Sequence, residues 1–166
     1  MAFTTSSGRG DQGLDVLKYQ VISIRQQFQS LKIAAEAQKK ALVFSKGASC
    51  GDKIYVTNDQ EVTYKEAVQI CSKAGGQLAS PRNRAENDAV LAISLEKKKR
   101  PFLGINDIQS EGSFRYINGK AIGYSNWYPG EPNNQYQNED CVEMYATGEW
   151  NDKDCKEKRL VICEFF

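Results

Sequence analysis

From Leu14 onward the apolar residues recur at alternating steps of three and four: Leu14, Leu17, Val21, Ile24, Phe28, Leu31, Ala35 and then Leu42, with only Gln38 interrupting the seam. This is the a/d pattern of a coiled coil sustained over about four heptads. Arg25, Gln26, Gln27 and Lys32 fall largely outside the seam, and Asp15 near the start and Lys39-Lys40 near the end complement the helix dipole. The spacing therefore predicts a helix about 40 Å long that meets copies of itself. A lone amphipathic helix lying on its own domain usually carries a wider apolar stripe than this one. The seam alone does not choose between two strands and three, because Phe28 and Ala35 at a-type positions do not follow the simple dimer preference.

Beyond the seam the period changes. Lys53-Ile54-Tyr55-Val56 reads as a strand, and Thr63-Tyr64-Lys65-Glu66 as a capping box opening a helix that runs to Gly75-Gly76. Asn83 and Glu86 start a second helix through about Leu95. After Arg100-Pro101, short aromatic and β-branched stretches alternate with dense Gly, Asn, Asp and Pro, and Leu160-Val161-Ile162-Cys163-Glu164 forms a last strand. Two helices followed by short strands and long loops predict an α+β domain. Between about Ile105 and Cys155 there is little regular pattern, and a loop region that long is expected to be functional, bridged or stabilised by an ion.

Composition narrows the function. The 166 residues suit one domain with an appendage, and a net charge of +1 argues against a nucleic-acid binder. The chain contains no histidine, which removes the usual general base, the usual zinc ligand and the neutral-pH switch. No apolar run is long enough to span a membrane. The start, Met1 to Ser7, lacks the charged and apolar regions of a signal peptide, and residues 1–13 read as tag or linker with a candidate collagen remnant at Gly10-Asp11-Gln12-Gly13. Five cysteines stand at 50, 71, 141, 155 and 163, none in a C-x-x-C pair. The last four suit a two-bridge framework in a secreted protein, which leaves Cys50 over.

The chemistry lies inside the irregular region. Glu131-Pro132-Asn133 comes eight residues before Glu139, and Asn151-Asp152 follows Trp150. These residues offer three carboxylates and two amide oxygens, hard donors that select calcium over zinc or copper. The Glu131-Pro132 bond is of the type that can be cis, which turns the flanking side chains in one direction. A calcium ion accepts up to eight oxygens, so two can come from vicinal sugar hydroxyls. Glu131 and Glu139 then accept hydroxyl protons while Asn133 and Asn151 donate. A loop-ordering ion with no ligand above it, or a merely solvated loop, fits the same composition.

The run Asn126-Trp127-Tyr128-Pro129-Gly130-Glu131-Pro132-Asn133, then Glu139-Asp140-Cys141, Trp150-Asn151-Asp152, Cys155 and Cys163, resembles the C-type lectin signature. Within that family it is most similar to the collectins, over about Leu14 to Phe165, with Gly75 to Arg82 adding to the likeness. The resemblance implies an α-helical trimeric coiled-coil neck over 14–45 and a C-type carbohydrate-recognition domain over 46–166. It implies a principal calcium and sugar site of Glu131, Asn133, Glu139, Asn151 and Asp152. An auxiliary calcium site would use Asp107, Glu111, Asn134 and Asp140 with Glu139, its charge lowered by the amide at Asn134. Lys153 and Gln135 would flank the sugar, and the bridges would be Cys71-Cys163 and Cys141-Cys155. Trp127 and Trp150 would be core and loop anchors.

The Glu-Pro-Asn order resembles members that take mannose, glucose, N-acetylglucosamine and fucose, whereas galactose binders typically carry Gln-Pro-Asp. A secreted, non-catalytic homotrimer that recognises microbial surfaces in innate immunity is the expectation. Competing readings are a protein-binding C-type lectin-like module with a structural calcium site, and a glycosidase using Glu131 and Glu139. Glu96-Lys97-Lys98-Lys99-Arg100 is a further candidate, for lipopolysaccharide phosphate or another anionic lipid, against the plainer reading of a solvated helix end.

Overall fold

The computed structural model describes residues 8–43 and 46–166. The chain divides into two compact units, Met1–Leu42 and Val43–Phe166, and each is described by itself. The first seven residues of the expected tag or linker, and residues 44–45, lie outside the described residues. In the first unit one helix, α1, runs over Gly8–Val43. It begins inside the stretch read as tag or linker, because extending an existing helix costs little per residue even through Gly10 and Gly13. Leu14, Leu17, Val21, Ile24, Phe28 and Leu31 are all exposed, between 46% and 69%. The single chain thus leaves the described part of the seam uncovered. The side chains of Ala35, Gln38 and Leu42 lie outside those described.

The second unit holds two four-stranded sheets and two helices, the α+β architecture that the pattern predicts. One sheet has the order β1-β2-β8-β3, with β1 Lys46–Cys50, β2 Lys53–Val62, β3 Gln77–Leu78 and β8 Arg159–Phe165. The other has the order β5-β4-β6-β7, with β4 Phe102–Asn106, β5 Arg115–Tyr116, β6 Cys141–Met144 and β7 Trp150–Lys153. All their pairings are antiparallel. β8 is buried from Leu160 to Glu164 because β2 and β3 flank it on either side. In β2 the period is two, with Lys53, Tyr55 and Thr57 inward. That strand continues to Val62, six residues past the predicted end, through a register shift between Thr57 and Glu61. The polar residues Asn58, Asp59 and Gln60 at the shift hide it from any reading of apolar alternation.

Helix α2 covers Tyr64–Lys73, and the Glu66 carboxylate accepts from Thr63 N at 3.0 Å and Thr63 Oγ1 at 2.7 Å. Helix α3 covers Arg84–Lys97, with Asn83 Oδ1 capping Glu86 N at 2.9 Å. It ends where Lys98 turns left-handed at φ 55°, slightly beyond the expected Leu95. Cys71 is bonded to Cys163, tying α2 to β8 across 92 residues. Cys141 is bonded to Cys155 across 14 residues. By chain entropy these bridges stabilise by over 4 and about 3 kcal/mol respectively. The thiol of Cys50 is free.

One main core cluster joins Tyr55, Val90, Leu103, Ile105, Met144, Trp150 and Ile162 between α3 and the sheets. Trp150 is fully buried, and its Nε1 donates to Asn87 Oδ1 at 2.7 Å. Asn87 Nδ2 donates in turn to the Gly148 carbonyl at 3.0 Å. Asn87→Ala leaves the indole N–H unpaired in a dry core, while the Gly148 carbonyl keeps its bond from Asn126 Nδ2 at 2.7 Å, so it should lower unfolding free energy by about 1–3 kcal/mol. Urea denaturation of the oxidised protein measures this, and a loss below about 0.5 kcal/mol would show that water takes over the indole N–H.

Candidate functional site

Between β5 and β6 the chain makes only a short 3-10 turn, Gln135–Gln137, so the long loop is fastened by other means. Trp127 pairs with Trp150 in an isolated bridge beside β7. Trp150 N donates to the Asn126 carbonyl at 2.7 Å, and Tyr128 N donates to the Trp150 carbonyl at 2.9 Å. Edge-on ring contacts continue the anchor: Trp127 with Trp150 at 5.8 Å, Tyr124 with Trp150 at 5.5 Å, and Phe114 with Trp127 at 4.7 Å. Gly130, at φ 94°, takes a turn that favours glycine, and the Glu131-Pro132 peptide that follows is cis.

This anchoring brings Glu131 beside the buried Asp152 of β7, which Asn151 precedes. The Asp152 carboxylate accepts from Asn133 N at 3.1 Å and Asn134 N at 2.6 Å. Glu139 is also buried, accepting from Gln135 N at 3.0 Å and from Lys153 Nζ at 2.7 Å. Asn134 Oδ1 accepts from Glu139 N at 3.1 Å. Glu131 Oε2 is buried and has no hydrogen-bond partner. Burial first, and then the carboxylates of Asp152 and Glu139, push the Glu131 carboxyl up to about 7.

A second acidic group adjoins the first through the Glu139-Asp140 step. Asp107 is 3% exposed, and its N donates to the Asp140 carbonyl at 3.0 Å. Its Oδ2 accepts from Gly112 N at 2.8 Å, while its Oδ1 is buried without a partner. Burial pushes its carboxyl up to about 6, with Glu111 and Asp140 adding to the rise. Among the described residues no three Asp, Glu, Cys or His side chains are gathered into a ready-made metal cluster. The carboxylates instead accept internal donors: Lys153 on Glu139, and the loop amides on Asp152.

Sequence reasoning missed Glu143. It is buried in β6, where its Oε1 accepts from Asn151 Nδ2 at 3.0 Å and from the Arg100 guanidinium at 3.4 Å. Its Oε2 accepts from Arg159 Nε. Glu143 thus occupies the amide nitrogen of Asn151 and leaves the amide oxygen for another partner. The basic run behind α3 is largely committed to the fold. Lys97 pairs with Asp59 at 2.7 Å, Lys99 with Glu61 at 2.9 Å, and Arg100 with Glu143.

The "Lectin C-type domain" family profile matches residues 60–165. The chain is 46% identical over 152 residues to pulmonary surfactant-associated protein D of Bos taurus, covering 92% of this chain and 41% of that protein. It is 43% identical over 155 residues to collectin-43 of Bos taurus, covering 92% of this chain and 48% of that one. It therefore spans less than half the length of these curated relatives. The carbohydrate-recognition domain of mouse scavenger receptor C-type lectin superposes with a TM-score of 0.67 at 25% identity, covering 73% of this chain and 94% of that one.

The carboxyl shifts give a stability that depends on pH. A carboxyl whose folded value is raised above its unfolded value stabilises while protonated, and loses that contribution as pH climbs through the folded value. For Asp107 and Glu131 the loss runs from about 4 up to about 7. With no histidine in the chain, no imidazole titrates in that window. In excess chelator the thermal midpoint should therefore fall as pH rises from about 5 to about 7.5, and Glu131→Gln should flatten the fall. A midpoint that holds level or climbs over this range would show that these carboxyls are relaxed in the folded chain.

Proposed function

Because the chain belongs to the C-type lectin family, we propose that it binds mannose-type sugars (mannose, glucose, N-acetylglucosamine and fucose) through calcium held by Glu131, Asn133, Glu139, Asn151 and Asp152. The observation that carries this reading is the buried, unpartnered Oε2 of Glu131 beside the carboxylates of Asp152 and Glu139. Oxygen donors of this kind suit a hard cation. Asp107, with its own unpartnered oxygen, supports an auxiliary calcium site completed by Glu111, Asn134, Glu139 and Asp140. The bound ion supplies positive charge and open positions for two vicinal hydroxyls. Around it Glu131 and Glu139 accept hydroxyl protons, Asn133 and Asn151 contribute their amides, and Lys153 and Gln135 border the sugar.

The two disulfides favour an extracellular, secreted setting. The exposed seam of α1 favours association of identical chains, the likeness to collectins makes that association a homotrimer, and such an assembly suits innate recognition of microbial glycan arrays. An anionic lipid at Lys97 to Arg100 is not part of the proposal, since the carboxylates of Asp59, Glu61 and Glu143 already hold three of those four cations. One observation favours a second reading: a carboxyl raised to about 7 beside Glu139 is also what an acid-catalysed glycosidase needs. Oligosaccharide recovered unchanged after long incubation disposes of it, and released monosaccharide would replace binding by hydrolysis.

Retention on immobilised mannan tests the main reading. Binding should require calcium, be lost in chelator, and be released by free mannose far more readily than by galactose. Glu131→Ala should weaken it at least about tenfold, since it removes a ligand of both the ion and the sugar. A folded, calcium-loaded protein that binds nothing on a broad glycan array would favour the protein-binding module instead.

Assembly has its own test. Sedimentation equilibrium should give three times the chain mass, and Val21→Asp should give monomers. Free mannose affinity should survive that change, while mannan retention drops by about a hundredfold as avidity is lost. A wild-type chain that sediments as a monomer would remove the trimer.

A further inference from the structure

We propose that Tyr136 is an aromatic platform for a second pyranose, the one linked to the sugar held by Glu131, Asn133 and Asn151. The inference rests on the sugar-binding reading and goes beyond it, because it assigns selectivity for oligosaccharides to a residue outside the calcium-ligand set. Tyr136 is 90% exposed, more than any other large apolar side chain described in the chain. Its φ is 60°, in the left-handed region, and Asn134 and Gln137 nearby stand at 43° and 55°. Glycine adopts such angles freely, and asparagine does so more readily than most residues. A tyrosine is the strained choice, so a bulky ring held there by its surroundings points to a use for the ring.

The surroundings do hold it. Gln135 N donates to Glu139 Oε2 at 3.0 Å, and Gln137 N donates to the Asn134 carbonyl at 2.9 Å. Asn134 N is bonded in turn to Asp152 Oδ2 at 2.6 Å, and Asn138 Nδ2 to Asp154 Oδ2 at 2.7 Å. The residues on both sides of Tyr136 are therefore fastened to the acidic cluster or to groups bonded to it. With consecutive Cα atoms about 3.8 Å apart, the ring rises from the rim of the site itself.

A pyranose has a polar edge of hydroxyls and a face of C–H bonds. The acidic-amide cluster can satisfy only the edge. The weakly positive C–H face is matched by the negative face of an aromatic ring, and a tyrosine adds a hydroxyl that both donates and accepts. With two side-chain torsions, it presents that area at little entropic cost. The other aromatics near the loop are already engaged: Trp127 and Trp150 with each other, and Tyr128 edge-on with Tyr145 at 5.5 Å.

Calorimetric titration of methyl α-mannoside and of a linear α-linked mannotriose, in calcium, tests the proposal on wild type, Tyr136→Gly and Tyr136→Phe. Glycine removes the ring and relieves the backbone, so folding is not at risk. Tyr136→Gly should leave the monosaccharide affinity within about twofold and weaken the mannotriose by about fivefold, with Tyr136→Phe recovering most of the loss. Mannotriose affinity unchanged in Tyr136→Gly, with the monosaccharide still bound, overturns the platform and leaves the sugar site standing. If the wild type binds neither sugar, the sugar-binding reading fails and takes the platform with it.

Discussion

The geometry of the acidic loop depends on how one residue, Trp150, is held. Its indole is buried and hydrogen-bonded to Asn87, and its backbone N–H and carbonyl each bond the segment Asn126–Tyr128. Asn151 and Asp152 follow it directly in β7, and Glu131 comes three residues after Tyr128. The two halves of the site are thus registered against one another through a single aromatic anchor. A loop of this length leaves many backbone groups without a ladder. Anchoring it at a buried side chain confines the irregular stretch to the part that needs to be irregular.

What that anchoring enforces is electrostatically unfavourable. Glu131, Asp152 and Glu139 are drawn together at low exposure, and the carboxyl of Glu131 rises in response. Lys153 offsets only Glu139, and the loop amides bond Asp152 and Glu139 without bringing a countercharge. Functional sites commonly break a local rule of stability, with compensation elsewhere in the fold. Here the compensation lies close by. The Cys141-Cys155 bridge joins the start of β6, just after Glu139 and Asp140, to the residues just after β7. The segments that carry Glu139 and Asp152 are thereby cross-linked near the point of repulsion.

Much of this was legible in the sequence, and the reasons are specific. Local hydrogen bonding fixes the starts of α2 and α3, so Thr63–Glu66 and Asn83–Glu86 announce them. Aromatic anchors and a run of acids and amides announce the loop as a place where an ion or ligand is expected. The end of β2 was not legible, because its continuation depends on a register shift beside β8 rather than on its own alternation. Nor was Glu143, whose burial depends on Arg100 and Arg159 from elsewhere in the chain and on Asn151 opposite it in β7. Nor was the fate of the basic run. Asp59 and Glu61, which neutralise Lys97 and Lys99, lie nearly forty residues earlier. Long-range partners of polar groups leave no periodic trace, whereas helix caps and coiled-coil seams do.

The site and the helix α1 each have a deficiency. Asn133, Gln135 and Tyr136 are exposed, so a sugar bound there would bury little surface, and a ligand held at millimolar strength gains only about 4 kcal/mol. The helix exposes Leu14, Leu17, Val21, Ile24, Phe28 and Leu31 along one seam, an arrangement that is unfavourable in water. Deepening the pocket would cure the first deficiency and burying the helix in its own domain would cure the second, each without the other. Association of identical chains along the seam, as proposed, would cure both. It would cover the apolar stripe and turn several weak contacts with a repetitive surface into one strong attachment. A shallow site would then be an advantage, since it would ignore isolated sugars and respond to their spacing.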